Sequence, residues 1–570
     1  MPTHPHFTAA RARFSTRRFP HGHNGPERPE FHHGSSGFPL TVRPDPPGKA
    51  NTVTRLRHGN TLLHKLSVPL GSRPPGRAPQ ARGRRLPAPR PHPSPARTPA
   101  APEVELPGTP LEWIEPFVGS ERTQDVREAL HGVRDLLDGR TVWHISDNPV
   151  RGGVAELLRA DLPYLAGEGV STRWTTLAGP PEFRAFTKSL YYRLCGVAPG
   201  ADSADLERGR RMYERICAQN AARLTPALDR RSIVVVHDHQ TAGLIPHLRA
   251  AGCTVLWRAH IGTPLREDLA ALGWDFLHRY LSCAHCHITS CPGVLPAALA
   301  PVDRRVLRPS IDPLSPKNIP LHPGTDPSRL LAAAGLIEEE GAAPPGRYAL
   351  TDLLVREPAR VVRAGGPAPA GAPLVTQVSR WDRVKDIPGV IRGFAEYVDP
   401  AFEAHLLLVG PDTRGDRQAE RVFAECRQVW AGLGRRGRRV HLVRLPTANP
   451  SEHALMVNAV QRRSAVVIQK SLAEGFGLTV SEAAWKGRPV VAAPVGGIRE
   501  QVEHGTTGLL LSDASDLRGL GEAVNRLLSD RAYAEELGRN GHQRVLRRFL
   551  TDSSVLGFAR VLSDAAQRYR

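Results

Sequence analysis

Short apolar runs ending in polar residues alternate with helix-patterned stretches along this chain, and the whole alternation occurs twice. The first series contains "RTVWHISD" (140–147), "SIVVVHDH" (232–239) and "CTVLWRAHIGT" (253–263). Between them lie "RGGVAELLRADLPYLAGEG" (151–169), whose Val154, Leu157, Leu158 and Leu162 recur at helical spacing, and "TAGLIPHLRAAG" (241–252). Pro/Gly/Ala-rich sequence then interrupts the pattern over 321–372, with "EEEGAAPPGR" and "RAGGPAPAGAP". The alternation restarts with "LVTQVSRWD" (374–382), "HLLLVGP" (405–411), "VHLVRLP" (440–446), "AVVIQKS" (465–471), "PVVAAP" (489–494) and "GLLL" (508–511). Strands that alternate with helices require parallel sheets covered on both faces. The chain therefore reads as α/β, with two doubly wound, Rossmann-like domains and a ligand cleft between them at the carboxyl ends of the strands.

The positive charge lies in a tail rather than on a folded basic surface, so a solvated tail is preferred over one that binds nucleic acid or a membrane. The formal net charge is +20, but residues 1–100 hold 17 Lys/Arg against 3 Asp/Glu, so the folded part carries only +6. The same hundred residues hold 19 of the 53 prolines and show no apolar periodicity, which predicts a disordered, solvated, basic tail. No apolar h-region follows the arginines of "RARFSTRRF" (11–19), and no stretch approaches the ~20 apolar residues of a membrane span. Seven cysteines in 570 residues suit a reducing cytoplasm. Cys283, Cys286 and Cys291 in "LSCAHCHITSCPG" have half the spacing of a zinc site, but no second pair follows, and a buried strand is the preferred reading. The expected boundaries are a tail at 1–106, an N-terminal domain at 107–320, a linker or insertion at 321–372, a C-terminal domain at 373–548 and a last helix at 549–570 that packs back on the N-terminal domain.

Polar residues gather where the strands end. Asp147 and Gly152–Gly153 follow the first strand; His237, Asp238 and His239 close the second; Arg258 and His260 close the third. Arg380, Asp382 and Lys385 follow the first strand of the second series, and Glu474 follows "AVVIQKSL". Cations, glycines and carboxylates together suit a sugar nucleotide. A diphosphate needs cations and close backbone approach, and helix N-termini such as those after Gly153 and the "GFGL" turn offer free amides. Sugar hydroxyls need acceptors, which Glu474 and Glu482 supply. A glycoside hydrolase would instead need two carboxylates flanking one bond without such cations. A non-catalytic module recruiting partners through the tail is a further alternative, disfavoured by the intact Arg380, Lys385, Glu474 and Glu482 set.

"EGFGLTVSEAAWKGRPVVAAPVGGIREQVEHGTTGLLL" (474–511), with its Glu-x7-Glu motif, closely resembles the donor site of retaining GT-B glycosyltransferases of the glycogen-synthase-like superfamily. "QVSRWDRVKD" (377–386) resembles the segment that neutralises the donor diphosphate. "HISDNPVRGGVAELL", "RWTTLAG", "FTKSLYYRLCG", "VVHDHQ", "LWRAHIGT" and "LRPSIDPLSPKN" are similar to the trehalose glycosyltransferring synthase and trehalose phosphorylase group. The likeness spans roughly residues 140–320 and 374–550. It implies a GT-B fold and a retaining hexosyl transfer from a nucleotide-diphosphate glucose to an acceptor, foremost glucose to give trehalose, with a trehalose phosphorylase using inorganic phosphate or transfer to another acceptor as the alternatives, and with no cofactor and no catalytic metal. Under it, Glu482 holds the ribose, while Glu474 and the amides of Phe476, Gly477 and Leu478 hold the hexose. Arg380 and Lys385 bind the diphosphate beside Gly152 and Gly153, and His260 contacts the hexose near the reacting carbon. His260, Glu474, Arg380 and Lys385 are thus the catalytic set, and Asp147, Asp238 and Arg258 are acceptor-side candidates. The implied partners are a nucleotide sugar and a small sugar acceptor, with no specific nucleic acid, no membrane span, and room for a homodimer. Arg151, His239 and Thr241 depart from the family pattern.

Overall fold

In the computed structural model, which describes residues 103–150, 152–198, 206–321, 326–339 and 357–569, the two series become two sheets of seven strands each. The first lobe contains β1 (Glu103–Val104), β2 (Val142–Ser146), β3 (Thr172–Thr176), β4 (Ile233–His237), β5 (Thr254–Ala259), β6 (Cys286–Thr289) and β7 (Asp303–Val306). Their order is β1-β3-β2-β4-β5-β6-β7. The second lobe contains β8 (Arg360–Val362), β9 (Leu374–Val378), β10 (His405–Pro411), β11 (Val440–Leu445), β12 (Val466–Gln469), β13 (Val490–Ala492) and β14 (Leu509–Leu510). Their order is β14-β13-β12-β9-β10-β11-β8. In both sheets six strands run parallel and one edge strand, β1 or β8, runs antiparallel to its neighbour.

The strand order fixes where a ligand can sit. In the first lobe the chain leaves β2 on one side toward β3 and returns on the other side as β4. In the second it leaves β9 toward β10 and returns as β12. Helices on opposite faces diverge at these two switch points and open a crevice beyond the carboxyl ends.

The interior strands are apolar on both faces because helices cover both. Residues Val234 and Val236 of β4 enter one core with Trp143, Phe186 and Tyr213, while Ile233 and Val235 enter another with Leu130, Val133 and Phe558. That second core is sealed by the last helix, Thr551–Arg568, which lies on Ser120–Leu137 of the first lobe. Fully buried Val555, Phe558 and Leu562 stabilise this contact by about 1.5–3 kcal/mol each.

Two expected boundaries shift. Glu103–Val104 belongs to the first sheet rather than to the tail, held partly by Arg173, whose guanidinium meets the Glu103 carboxylate at 2.8 Å. The 321–372 stretch is not merely a connection. Its helix Pro327–Ala333 buries Leu330 and Leu331 against Val457 and Val460, and β8 pairs with β11. Alanine and proline composition hid a short amphipathic face. The expected disorder of 1–102 and the middle of the insertion (340–356) lie outside the described residues. Among the described residues no helix is long and apolar enough to cross a membrane. Cys286 opens strand β6, buried Cys291 packs in the core, and no group of three potential metal ligands occurs among the described residues.

Candidate active site

Backbone sterics bring the two crevices together. The loop after β5 (260–263) abuts the turn after β12 (474–475) so tightly that side chains are excluded. A Cβ on Gly262 would lie 1.8 Å from the Glu474 carbonyl oxygen, and one on Gly475 would lie 2.0 Å from that of His260. The loop after β13 joins them, with the Gly496 amide donating to Thr263 Oγ1 at 3.1 Å. His260 and Glu474, more than two hundred residues apart in sequence, thereby share one floor between the lobes.

On the second-lobe side the expected cations and acids meet. Lys385 Nζ pairs with Glu474 Oε2, which also accepts from Ser471 Oγ at 3.2 Å and Gln469 Nε2 at 3.4 Å. Arg380, with half of its side chain exposed, contacts the buried Asp382 carboxylate at 3.2 Å. Lys188, on helix Pro181–Leu194 of the first lobe, reaches the same oxygen at 2.5 Å. Burial alone would raise the Asp382 pKa, but Lys188 and Arg380 outweigh it and hold the carboxyl well below its usual range. Asp382 thus orients a cation from each lobe.

Gly477, in the left-handed region at φ 88°, ends the turn and caps helix Leu478–Trp485. Phe476 is buried and packs edge-on against Phe549, while Leu478 is half-buried at the first helical position. Glu482 lies within this helix at 2% exposure. It accepts from Gln461 Nε2 at 3.0 Å and faces Lys317 Nζ at 3.4 Å. Lys317 also meets Glu156 at 2.6 Å, so one ammonium links a carboxylate of each lobe. Burial opposes ionisation of Glu482, yet Lys317 and Lys486 keep its pKa lowered; Glu156, near this second carboxylate, is raised by its burial.

On the first-lobe side Gly152 has φ 98° and caps helix Gly153–Gly167, with both glycines exposed. Arg151 is outside the described residues. Asp238, at φ 65°, uses its carboxylate to accept the His260 amide at 2.7 Å. Burial pushes its pKa up to about 7, with nearby Asp147 adding to the rise; Asp147 itself is raised by burial. Arg258 does not join this group. Its guanidinium is 2% exposed and lies 4.0 Å from buried Asp161, which Ser310 and Ser554 also contact. The two departures are core contacts: His239 Nε2 lies 2.9 Å from the Thr187 carbonyl, and Thr241 Oγ1 donates to the His237 carbonyl at 2.7 Å.

Sequence reading assigned no role to Lys188, Glu156, Lys317, Thr263 or Gln461. Lys188, Glu156 and Gln461 sit on helices rather than at strand ends. Only the lysine beside two tyrosines, whose rings its ammonium overlies at 4.6 and 4.8 Å, offered a local signal.

Comparisons with known proteins place the chain in a family. Residues 144–296 match the family "Trehalose synthase, N-terminal domain", and residues 372–530 match "Glycosyl transferases group 1". The chain is 30% identical over 458 residues to a trehalose synthase of Pyrococcus horikoshii, covering 80% of this chain and 96% of that one. It is 31% identical over 435 residues to a trehalose synthase of Rubrobacter xylanophilus, covering 75% and 92%. A trehalose phosphorylase of Pleurotus sajor-caju is 25% identical over 442 residues, 70% of this chain but 56% of that one. In fold the chain is similar to an α,α-trehalose-phosphate synthase (UDP-forming) from Burkholderia xenovorans, with TM-score 0.53, 15% identity, and coverage of 75% and 99%.

Proposed function

Because the chain belongs to the trehalose synthase family of glycosyltransferases, we propose that it transfers glucose from a nucleoside-diphosphate glucose to a second glucose, giving trehalose. One observation carries this reading. Arg380 and Lys385 follow β9 and Glu474 follows β12 at the second lobe's switch point, and His260, just beyond β5 of the other lobe, adjoins the Glu474 turn.

In the proposed reaction the bond from the sugar's anomeric carbon to the diphosphate oxygen breaks. A bond from that carbon to the acceptor hydroxyl oxygen forms on the same face, and the acceptor proton passes to the departing phosphate oxygen. Arg380 and Lys385 stabilise the charge that grows on the diphosphate, an effect that acts mainly in the transition state. Lys385 exchanges its Glu474 contact for phosphate, which leaves Glu474 to accept from hexose hydroxyls. Glu482, kept ionised by Lys317 and Lys486, accepts from the ribose. Asp147 and Asp238 line the acceptor side. No metal or cofactor enters this scheme, since side-chain cations carry the role.

The likeness to trehalose phosphorylases supports a second reading, in which inorganic phosphate occupies the diphosphate position. Incubating the protein with uridine-, adenosine- and guanosine-diphosphate glucose plus glucose, and identifying products by mass and anomeric NMR, tests both. Trehalose with one equivalent of nucleoside diphosphate supports the proposal. Trehalose breakdown with phosphate alone, and no turnover of nucleotide sugars, supports the second reading instead.

A further inference from the structure

Three histidines form a continuous chain across the first sheet. His144 is paired in register with Val235, and His237 with Arg258. Each next histidine therefore lies one strand over and two residues further toward the carboxyl edge. The row runs from His144 on β2 through His237, the last residue of β4, to His260 just beyond β5. His144 Nδ1 is 3.1 Å from His237 Nε2, and His237 Nδ1 is 3.0 Å from His260 Nε2. Neighbouring rings stack at 5.3 Å between centroids. At the inner end His144 Nε2 is buried without a hydrogen-bond partner, beside the tilted ring of Phe558. At the outer end His260 is half-buried, and no hydrogen bond to its Nδ1, across the ring from His237, occurs among the described residues.

A neutral imidazole donates through one nitrogen and accepts through the other, so two successive N···N bonds force all three rings into the same tautomer. Burial, reinforced by the charge of Arg258, pushes His144 down to about 3 and holds His237 and His260 well below the usual range, so all three rings are neutral. Two arrangements remain. If every ring carries its proton on Nε2, a buried N–H at His144 is left without an acceptor, in the field of the Arg258 guanidinium. If every ring carries it on Nδ1, the buried end is a bare lone pair, which that cation favours. Orphaned buried N–H groups are the rarer and costlier case.

We propose that His144, His237 and Arg258 are positioning residues that set His260 as a fixed Nδ1–H donor to an oxygen of the bound hexose or its leaving group. This rests on the transfer reaction proposed above. Asp238 completes the device by gripping the His260 amide. A donor of set direction suits an oxygen that gains negative charge as a bond breaks, whereas a bare nitrogen there would repel it. It also gives buried Arg258, excluded from the cleft by its pairing with Asp161, an effect that reaches the cleft through two rings.

Neutron diffraction from deuterated crystals of the resting full-length protein reads the tautomers directly. Deuterium on Nδ1 of all three rings is expected; deuterium on Nε2, or on both nitrogens of His260, overturns the proposal. The kinetic arm compares His144→Leu with His144→Asn, whose amide replaces the Nδ1–H donor. His144→Leu should lower kcat about tenfold, within the range for removing such outer partners, and leave KM for the nucleotide sugar nearly unchanged, while His144→Asn restores most of the rate. Equal losses in the two variants, or no loss in either, contradict the positioning role. If the native protein turns over no nucleotide sugar, the proposed function falls and the donor role with it; the deuterium map, read without substrate, tells that failure apart from a wrong tautomer.

Discussion

The two lobes share one plan, six parallel strands and an antiparallel edge, yet they place opposite chemistry at the carboxyl ends of their strands. At the ends of β4 and β5 the first lobe sets His237 and His260, held neutral by burial, together with Asp147 after β2 and Asp238 after β4, whose acidity burial weakens. At the ends of β9 and β12 the second lobe sets ion pairs: Arg380 with Asp382, Lys385 with Glu474, and Lys470 with Asp386. Neutral donors and acceptors recognise hydroxyls without the desolvation cost of a charge, whereas a diphosphate demands cations. The fold supplies the crevice; under the proposed function, a few strand-end side chains decide which part of a sugar nucleotide each wall takes.

That contrast can be broken by comparing variants across the cleft. Lys385→Ala and Glu474→Ala should each lower kcat by on the order of 10²–10³, as for other positioned charge stabilisers, while Asp147→Asn stays well short of that. Equal losses on both walls would erase the distinction. Lys317→Met should raise KM for the nucleotide sugar about tenfold with kcat nearly kept, because Glu482 loses the cation that holds it ionised; steady-state kinetics would contradict this if kcat alone fell.

A pH dependence follows from Lys486, whose ammonium donates to Asn318 Oδ1 and the Glu482 carbonyl. Burial lowers its pKa from 10.5 to about 7 despite attraction by Glu482. Between these values the unfolded chain binds more protons than the folded one, so this group's penalty is complete below pH 7 and vanishes above pH 10.5. Urea unfolding should therefore show Lys486→Met gaining most on the native protein at pH 6 and losing that advantage by pH 10. A pH-independent difference would mean the lysine is not strained. The smallest effect belongs to the partly exposed pair between the lobes, Arg308–Glu500 at 2.9 Å. Arg308→Ala should change unfolding free energy by less than about 1 kcal/mol, and a larger change would show the lobes held by surface charge.

Much of this arrangement is readable from sequence because it depends on local pattern. The runs at 232–239, 253–263 and 405–411 became β4, β5 and β10, and "GFGL" became the turn and helix start that a φ of 88° at Gly477 requires. The destination of Arg258 was not readable in the same way. Its alternation along β5 puts it on the face of Leu256, but the helix covering that face comes from 551–568, and its partner Asp161 is 97 residues away. Lys188 and Lys317 were hidden likewise: neither is at a strand end, and each gains meaning only when the other lobe supplies Asp382 or Glu482. The close passage of Gly262 by Glu474 depends on how two loops dock, which composition does not encode.

If both walls grip one activated sugar, a structure of the protein soaked with a nucleoside diphosphate and glucose will show it. Diphosphate oxygens are expected within hydrogen-bonding distance of Arg380 and Lys385, ribose on Glu482, and glucose between Glu474 and His260. A nucleotide bound away from β9 and β12, or glucose that leaves His260 and Glu474 untouched, would contradict it.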